Sequence, residues 1–228
     1  MAQEALVPVH RRLAVPGPEA TRPAKRRDAA LDGQPRAGQR HDVARATETL
    51  GSPVESDGEP IAVRAVRIFR ELFPQVLIST NRPERFQGLG VETVADRFPG
   101  SGPLAGIHAA LLASRYPHVF VAACDMPGLD PDVIRFLLAR VGGADAVVPC
   151  WEGDIEPLHA VYAAGALPDI EASLRAGRNA VRDVLRFLRV DYVSEAEMRM
   201  VRGAARSLTN VNTPEELAAV GGCFDDAS

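Results

Sequence analysis

An aspartate that follows a buried apolar run is the residue of this sequence best suited to chemistry. The residues from Val119 to Ala123 show no alternation of apolar and polar side chains, which is typical of a parallel strand covered on both faces. Asp125 then lies at the carboxyl end of the strand, where open α/β sheets bind ligands, and Pro127 stops the strand from continuing. Mg²⁺ is held in proteins by one or two carboxylates together with substrate phosphates, so this aspartate is a candidate ligand of such an ion. Aspartates also serve turns and helix caps, and the sequence leaves that second role open.

Three glycines in a short stretch form a second candidate site. Gly100, Gly102 and Gly106 surround Pro103 and Leu104 at the expected start of a helix. Glycine lets the backbone come close to a phosphate or a base, and the first turn of a helix offers free N–H groups to an anion. A plain turn needs fewer glycines, so the stretch indicates a loop that contacts an anionic ligand.

The elements that position these residues alternate between strands and helices. This order predicts a Rossmann-like α/β fold, in which a mostly parallel sheet carries helices on both faces. His159 stands among the apolar residues of one predicted strand and is interpreted as a core histidine rather than a catalytic one. Apart from the strand before Asp125, the sequence predicts strands over 76–79, 91–94, 145–149, 157–162 and 189–193 and helices over 61–72, 107–112, 132–140, 167–174 and 179–187. Asp130 is expected to cap the third of these helices, with Pro131 at its first position.

The composition limits the kinds of partner that the protein can have. The 228 residues suffice for one sizeable domain, and a formal net charge of -4 with a pI near 5.8 argues against binding to nucleic acid. The three cysteines are widely spaced and follow no metal-binding pattern, which suits a reducing compartment. No apolar run approaches the roughly 20 residues that a membrane span requires. We therefore expect a cytoplasmic, soluble protein without a membrane partner.

The first 55 residues differ in composition from the rest of the chain. They are rich in Arg, Ala, Pro, Gly and Gln and hold no sustained helical or strand period. Such a segment cannot bury enough apolar surface to offset the entropy that is lost on ordering. The sequence predicts a disordered or aberrant segment over residues 1–55, one folded domain over 56–221 and a flexible tail over 222–228.

Four motifs in register give this domain a family resemblance. They are Gly102-Pro103-Leu104-Ala105-Gly106, Cys124-Asp125-Met126-Pro127, Pro157-Leu158-His159-Ala160-Val161-Tyr162 and Asn210-Val211-Asn212-Thr213-Pro214-Glu215-Glu216-Leu217. In order and spacing they resemble the molybdenum cofactor guanylyltransferases, which have a nucleotidyltransferase fold of the nucleotide-diphospho-sugar transferase type. The resemblance extends from Asp57 to Val220. It implies Mg²⁺-dependent transfer of GMP from GTP to the phosphate of molybdopterin, with release of pyrophosphate, in the biosynthesis of molybdopterin-guanine dinucleotide.

The resemblance also implies which residues form the site. Asp125 would be the catalytic residue that holds Mg²⁺ and the nucleotide, and Asn81 is the amide nearest to a family asparagine that Ser79 replaces. The residues implied to bind GTP are Asp96, Asp125, Asn81, Gly102 and Gly106. The residues implied to hold the metal are Asp125, Asn210 and Asn212. GTP and molybdopterin would be the small-molecule substrates, and molybdoenzymes or cofactor-biosynthesis proteins would be the protein partners.

One family feature is missing from this sequence. Members of the family open with a strand that leads into a glycine-rich loop of the Leu-Ala-Gly-Gly type, followed by Arg-Met-Gly and an Asp-Lys pair. Ala37-Gly38-Gln39-Arg40 is the nearest remnant, and no lysine stands between it and Asp57, where the family pattern resumes abruptly, as after a shift of reading frame. Such a loop supplies N–H groups and positive charge to the phosphates, so its loss predicts impaired turnover.

Two alternatives to this function stay open at the level of sequence. The first is another nucleotidyltransferase of the same fold that uses a different acceptor or donor. The second is a non-catalytic protein that still binds a nucleotide but has lost the phosphate loop.

Overall fold

The computed structural model describes residues 61–124 and 126–209, together with the backbone of three short strands that precede them. Asp125 lies outside the described residues, and so do residues 210–228, which include Asn210 and Asn212. The same holds for most of the segment before Glu55 and for the proposed tail over 222–228.

One mixed sheet of eight strands forms the centre of the described structure. Its strands are β1 (Ala5–His10), β4 (Gln75–Ser79), β5 (Glu92–Val94), β6 (His118–Ala123), β7 (Ala146–Trp151), β8 (Asp154–Ile155), β9 (His159–Ala163) and β10 (Val190–Val193), while β2 (Glu55–Ser56) and β3 (Glu59–Pro60) pair separately. The order along the sheet is β10-β7-β9-β6-β1-β4-β5, and β8 pairs with β7 outside this path. Strands β5, β4, β6, β7 and β10 run in one direction, whereas β1 and β9 run against them. The predicted layer fold is therefore confirmed, with two antiparallel strands inserted among the parallel ones.

Helices cover both faces of the sheet. They are α1 (Ile61–Leu72), α2 (Pro103–Ala113), α3 (Pro131–Ala139), α4 (Leu167–Arg175), α5 (Val181–Leu185), α6 (Glu195–Arg199) and α7 (Ala204–Ser207), and short 3₁₀ turns stand at Pro83–Phe86 and Ala164–Ala166. Among the described residues, no helix is long and apolar enough to cross a membrane.

Strand β6 divides its side chains between two hydrophobic cores. Val119 and Val121 pack with α2, α4 and α5 on one face, whereas Phe120 and Ala122 pack with α1, α3, α6 and α7 on the other. All four side chains are fully buried. This explains why the run shows no alternation in sequence, since both faces of a central strand are dry.

The segment predicted to be disordered contributes one strand to the central sheet. The sequence predicts disorder over residues 1–55, but Ala5–His10 forms β1 between β4 and β6. The run Ala-Leu-Val-Pro-Val-His is too short to show a sustained period, and its β-branched valines favour a strand once two neighbouring edges are available. The prediction is wrong for these six residues and for Glu55, which begins β2.

Two short helices near the end of the described chain were not predicted from the sequence. Helix α6 begins with a capping box, in which Ser194 Oγ accepts the N–H of Glu197 and the Glu197 carboxylate accepts the N–H of Ser194. The Ser-x-x-Glu spacing is a recognisable start signal that precedes this helix. Helix α7 has only four residues, and Gly203 precedes it in the left-handed region with φ of 83°.

An ion pair fastens the amino-terminal ends of β7 and β10. The Asp145 carboxylate accepts the backbone N–H of Arg189 at 3.0 Å and two guanidinium N–H groups of the same residue at 2.9 and 2.7 Å. The side-chain hydrogen bonds from Arg189 are the main cause that lowers the pKa of Asp145 below its ordinary value of 3.8.

We expect Asp145→Asn to lower stability near neutral pH by about 1 kcal/mol, or about 2–4 °C in Tm. A lowered carboxyl pKa stabilises the fold above the unfolded-state pKa, and this contribution is lost as the pH falls through the folded-state pKa. The difference in Tm between parent and variant should therefore shrink as the pH falls below the ordinary carboxyl pKa and vanish once the pH lies below the lowered pKa of folded Asp145. Thermal melts from neutral pH into acid measure this difference in Tm, with Asp169→Asn at an exposed position as the control. A difference that persists unchanged in acid would contradict the expected linkage.

Candidate functional site

The carboxyl ends of the parallel strands lie at one edge of the sheet. Ser79 ends β4 and Ala123 ends β6, and both are paired with the same residue of β1, Ala5. Because neighbouring strands are about 4.8 Å apart, the ends of β4 and β6 are separated by about 10 Å. His159 begins the antiparallel strand β9 at this edge, opposite Ala122. The loops that leave this edge, called the carboxyl edge below, can therefore face a common ligand.

Asp96, which follows β5 closely, is held by residues that leave β4. Its Oδ1 accepts the hydroxyl of Ser79 at 3.0 Å, and its Oδ2 accepts the Nδ2–H of Asn81 at 3.0 Å. Asn81 Oδ1 in turn accepts the backbone N–H of Asp96 at 3.1 Å. This reciprocal pair determines the orientation of the amide, since only its nitrogen can donate and only its oxygen can accept. The structure thus brings Asp96 and Asn81 together, and it adds Ser79.

The Asp96 carboxylate keeps room for a ligand. The side chain is only partly buried, and each of its oxygens accepts one side-chain hydrogen bond from the described residues. A carboxylate oxygen has two lone pairs, so each oxygen can accept one more N–H or O–H group. Ser79 is buried below it and fixes the carboxylate from the protein side. Asp96 is therefore a rigid acceptor at the carboxyl edge.

The glycine-rich loop joins Asp96 to helix α2. Gly100 and Gly102 have φ of 79° and 66°, a region that side chains other than glycine rarely adopt. A Cβ on either glycine would meet no atom within 4 Å, so the loop backbone faces open space. Pro103 occupies the first turn of α2, and Gly106 is buried in that helix. The helix begins earlier than the predicted residue 107, because the proline suits the first turn.

A buried histidine holds this loop against α2. The rings of Phe98 and His108 meet edge to face with centroids 5.2 Å apart. Neither nitrogen of the His108 ring has a hydrogen-bond partner among the described residues, and its Nε2 lies 3.7 Å from Glu171 Oε2. Burial lowers the pKa of His108, and Glu171 partly opposes that effect. An apolar helix with one histidine carries no sequence signal for this contact, and it was not predicted.

The loop after β6 contains a second group of polar contacts. Asp130 caps α3 by accepting the N–H of Asp132 at 2.9 Å, with Pro131 in the first turn, as the sequence predicts. His159 is fully buried and its ring meets Phe120 edge to face at 5.1 Å, which confirms its interpretation as a core histidine.

The polar side chains that meet at Asp96 offer oxygen atoms as possible metal ligands at the carboxyl edge. In the part of the chain that the structure describes, no cluster of three or more His, Cys, Asp or Glu side chains is arranged to hold a metal ion. Carboxylate, amide and hydroxyl oxygens come from Asp96, Asn81 and Ser79. Such hard donors suit Mg²⁺, which needs few protein ligands when it is bound with phosphates. The predicted metal ligands Asp125, Asn210 and Asn212 lie outside the described residues.

Comparison with known proteins gives matches over most of the chain. The family model of the MobA-like NTP transferase domain matches residues 52–196. A probable molybdenum cofactor guanylyltransferase of Pelotomaculum thermopropionicum is 38% identical over 164 residues, which cover 72% of this chain and 80% of that relative. The molybdenum cofactor guanylyltransferase of Desulfosudis oleivorans is 34% identical over 162 residues, which cover 71% and 80% of the two chains.

A solved structure matches as well. The molybdopterin-guanine dinucleotide biosynthesis protein A of Archaeoglobus fulgidus superposes with a TM-score of 0.66 at 26% identity. The match covers 77% of this chain and 90% of that one. It supports the nucleotidyltransferase-type layer fold that the sequence predicts.

Proposed function

Because the chain belongs to the MobA-like NTP transferase domain family, we propose that it transfers GMP from GTP to molybdopterin as a molybdenum cofactor guanylyltransferase. The structural observation that carries this proposal is the carboxyl edge, where one loop bears both the fixed acceptor Asp96 and the glycine turn at Gly100 and Gly102. A nucleotide can donate its N–H and O–H groups to a fixed carboxylate, and its phosphate groups can approach an open glycine backbone closely.

The proposed reaction needs no covalent nucleophile on the protein. An oxygen of the pterin phosphate forms a bond to the α-phosphorus of GTP, and the bond from that phosphorus to the bridging oxygen breaks, so that pyrophosphate leaves. Transfers of this kind depend on positioning and on stabilisation of charge. Asp96 accepts N–H or O–H groups of GTP, Asn81 and Ser79 hold that carboxylate, and the backbone at Gly102 approaches the nucleotide. Gly106 belongs to the same proposed nucleotide side.

Mg²⁺ is part of the proposal, with Asp125 as its main protein ligand. Asn210 and Asn212 are assigned as further contacts to the metal. When bound, the ion offsets the negative charge of the phosphate oxygens. The oxygen donors at the carboxyl edge support this choice of ion, as does the general requirement of nucleotidyl transfer for charge neutralisation.

The proposed reaction implies particular substrates, protein partners and a location in the cell. GTP and molybdopterin are the small-molecule substrates, and molybdoenzymes or cofactor-biosynthesis proteins receive the product. We infer a cytoplasmic location, since GTP is a cytoplasmic nucleotide. The acidic net charge of -4 supports a partner set without nucleic acid.

The direct test is release of pyrophosphate in the presence of Mg²⁺ and molybdopterin, with GTP, ATP, CTP and UTP compared as donors. Release that requires both GTP and molybdopterin supports the proposed function. Selectivity for CTP, or release without molybdopterin but with another phosphorylated acceptor, would replace it with a different nucleotidyltransferase. Binding of GTP without transfer, even in the chain with a restored phosphate loop that is discussed below, would identify a binding protein.

We expect Asp96→Asn to weaken GTP binding by roughly 10- to 100-fold, because a hydrogen bond to a charged acceptor contributes about 1.5–3 kcal/mol. The amide keeps the size of the carboxylate but can no longer accept hydrogen bonds on both sides. Titration with a fluorescent GTP analogue measures the effect. Asp169→Asn changes the same residue type on the exposed face of α4 and should bind like the parent. Equal affinity of Asp96→Asn and the parent would remove Asp96 from the site.

A further inference from the structure

The loop from Met126 to Asp130 packs closely against helix α7. A Cβ on Gly128 would lie 2.1 Å from the carbonyl oxygen of Arg206 and 2.8 Å from its carbonyl carbon. Atoms in real proteins do not approach so closely, so only glycine lets these two backbones meet. The loop that follows Asp125 in the chain is therefore joined to the helix that leads to Asn210.

Charged contacts hold the same two segments together. The Asp130 carboxylate accepts Arg206 Nη2–H at 2.8 Å while it also accepts the N–H of Asp132 at 2.9 Å. A Cβ on Gly203 would lie 2.2 Å from Asp130 Oδ2, so the turn before α7 packs directly against this carboxylate. One aspartate thus caps α3 and binds α7.

A buried relay of hydrogen bonds runs through this interface. The backbone N–H of Asp130 donates to Ser207 Oγ at 3.1 Å, and that oxygen lies 3.4 Å from His159 Nε2. On its other side, His159 Nδ1 lies 3.4 Å from the sulfur of Met126. Ser207 and His159 are both fully buried.

The chemistry of the two neighbours favours one tautomer of the His159 ring. The sulfur of Met126 can only accept, so Nδ1 forms a hydrogen bond to it only when Nδ1 carries the ring proton. Nε2 of the neutral ring then accepts the hydroxyl proton of Ser207, whose oxygen in turn accepts the N–H of Asp130. Burial lowers the pKa of His159 to about 3, which agrees with a neutral ring. Both nitrogens of the His159 imidazole therefore have a hydrogen-bond partner, Met126 on one side and Ser207 on the other.

We propose that His159 and Ser207 are positioning residues of the transfer reaction, which fix the loop beginning after Asp125 relative to the helix that leads to Asn210. The inference rests on the proposed function, because that function assigns Mg²⁺ contacts to Asp125 and Asn210. Residues that orient metal ligands from the next layer typically change metal affinity or activity by about 10- to 100-fold when they are replaced. His159 and Ser207 act on the reaction through the segments they hold and not by contact with substrate.

Ser207→Ala is the primary test, and Ser173→Ala is its matched control. Both serines are buried, but Ser173 lies on α4, against the opposite face of the sheet. GTP binding is titrated with Mg²⁺, and hydrogen exchange is followed in the peptide that covers residues 126–130. For Ser207→Ala we expect the Mg²⁺ concentration at half-maximal GTP binding to rise by roughly 10- to 100-fold and exchange in this peptide to accelerate. For Ser173→Ala we expect neither change.

Each outcome decides between positioning and mere packing. The inference is overturned if GTP binding by Ser207→Ala depends on Mg²⁺ as it does in the parent, or if hydrogen exchange accelerates equally in all peptides. In both cases the proposed function still stands, provided that the parent binds GTP. If the parent itself binds no GTP, the proposed function fails and the inference fails with it, even where local exchange shows that the relay holds the loop. Should Ser207→Ala not fold, Arg206→Gln tests the same interface from its partly exposed side, with the same expected results.

Discussion

Replacement of residues 1–56 by a strand, a Leu-Ala-Gly-Gly-type loop and an Asp-Lys pair is expected to raise the rate of pyrophosphate release from GTP by more than about 10²- to 10³-fold. That range is typical for one preorganised donor in an active site, and the loop contributes several donors and a cation. The present strand β1 runs against β4 and β6, so that its last residue, His10, is paired with His118 at the start of β6. The last residue of β1 therefore lies at the edge of the sheet opposite to Asp96.

The control for this replacement is a version in which the inserted glycines are alanines, since alanine keeps the strand but closes the loop to the phosphates. It should recover only a small part of the gain, because it keeps the lysine but not the backbone donors of the loop. Rapid turnover by the unmodified chain would contradict the prediction and would mean that residues before Asp57 already form the phosphate site.

Asp125→Asn is expected to remove the Mg²⁺ dependence of GTP binding and to slow transfer by roughly 10²-fold or more. The substitution keeps the size of the side chain but takes away the negative charge that Mg²⁺ prefers in its protein ligands. Calorimetric titration of GTP with and without Mg²⁺ gives the result for the variant and the parent. The strand before it, β6, is buried on both faces and should be unaffected.

Asp169→Asn again serves as the control, because it makes the same exchange on the exposed surface of α4. The same Mg²⁺ dependence in Asp125→Asn and the parent would exclude the metal role. A variant that does not fold, as judged by its thermal melt, would instead identify Asp125 as a turn or capping residue.

Short-range patterns were sufficient to predict most of the fold. The apolar run of β6 and the Asp130-Pro131 start of α3 are local signals, and both elements stand where the sequence places them. The direction of β9 was not predicted, because an apolar run looks the same whether its neighbours are parallel or antiparallel. The capping box at Ser194 was present in the sequence as a signal for α6.

The candidate site was predictable only in part. Asn81 and Asp96 were both proposed, and the structure joins them through two hydrogen bonds. The contact between Gly128 and Arg206 could not be predicted, since it joins backbone segments that are distant in sequence and shows no residue pattern. The same applies to Phe98 and His108, whose contact depends on how a loop returns over a helix.

The place of β1 in the sheet has a consequence for how the chain folds. Strands β4 and β6 have hydrogen-bonded neighbours on both edges only when Ala5–His10 lies between them. This segment is far from either strand in sequence. Contacts of such long range form late, because closing a long loop costs entropy before the pairing stabilises it. The sheet is therefore expected to assemble first as two parts, β4 with β5 and β6 with β9, β7 and β10. Each part then exposes an unpaired strand edge until the amino-terminal strand closes the gap.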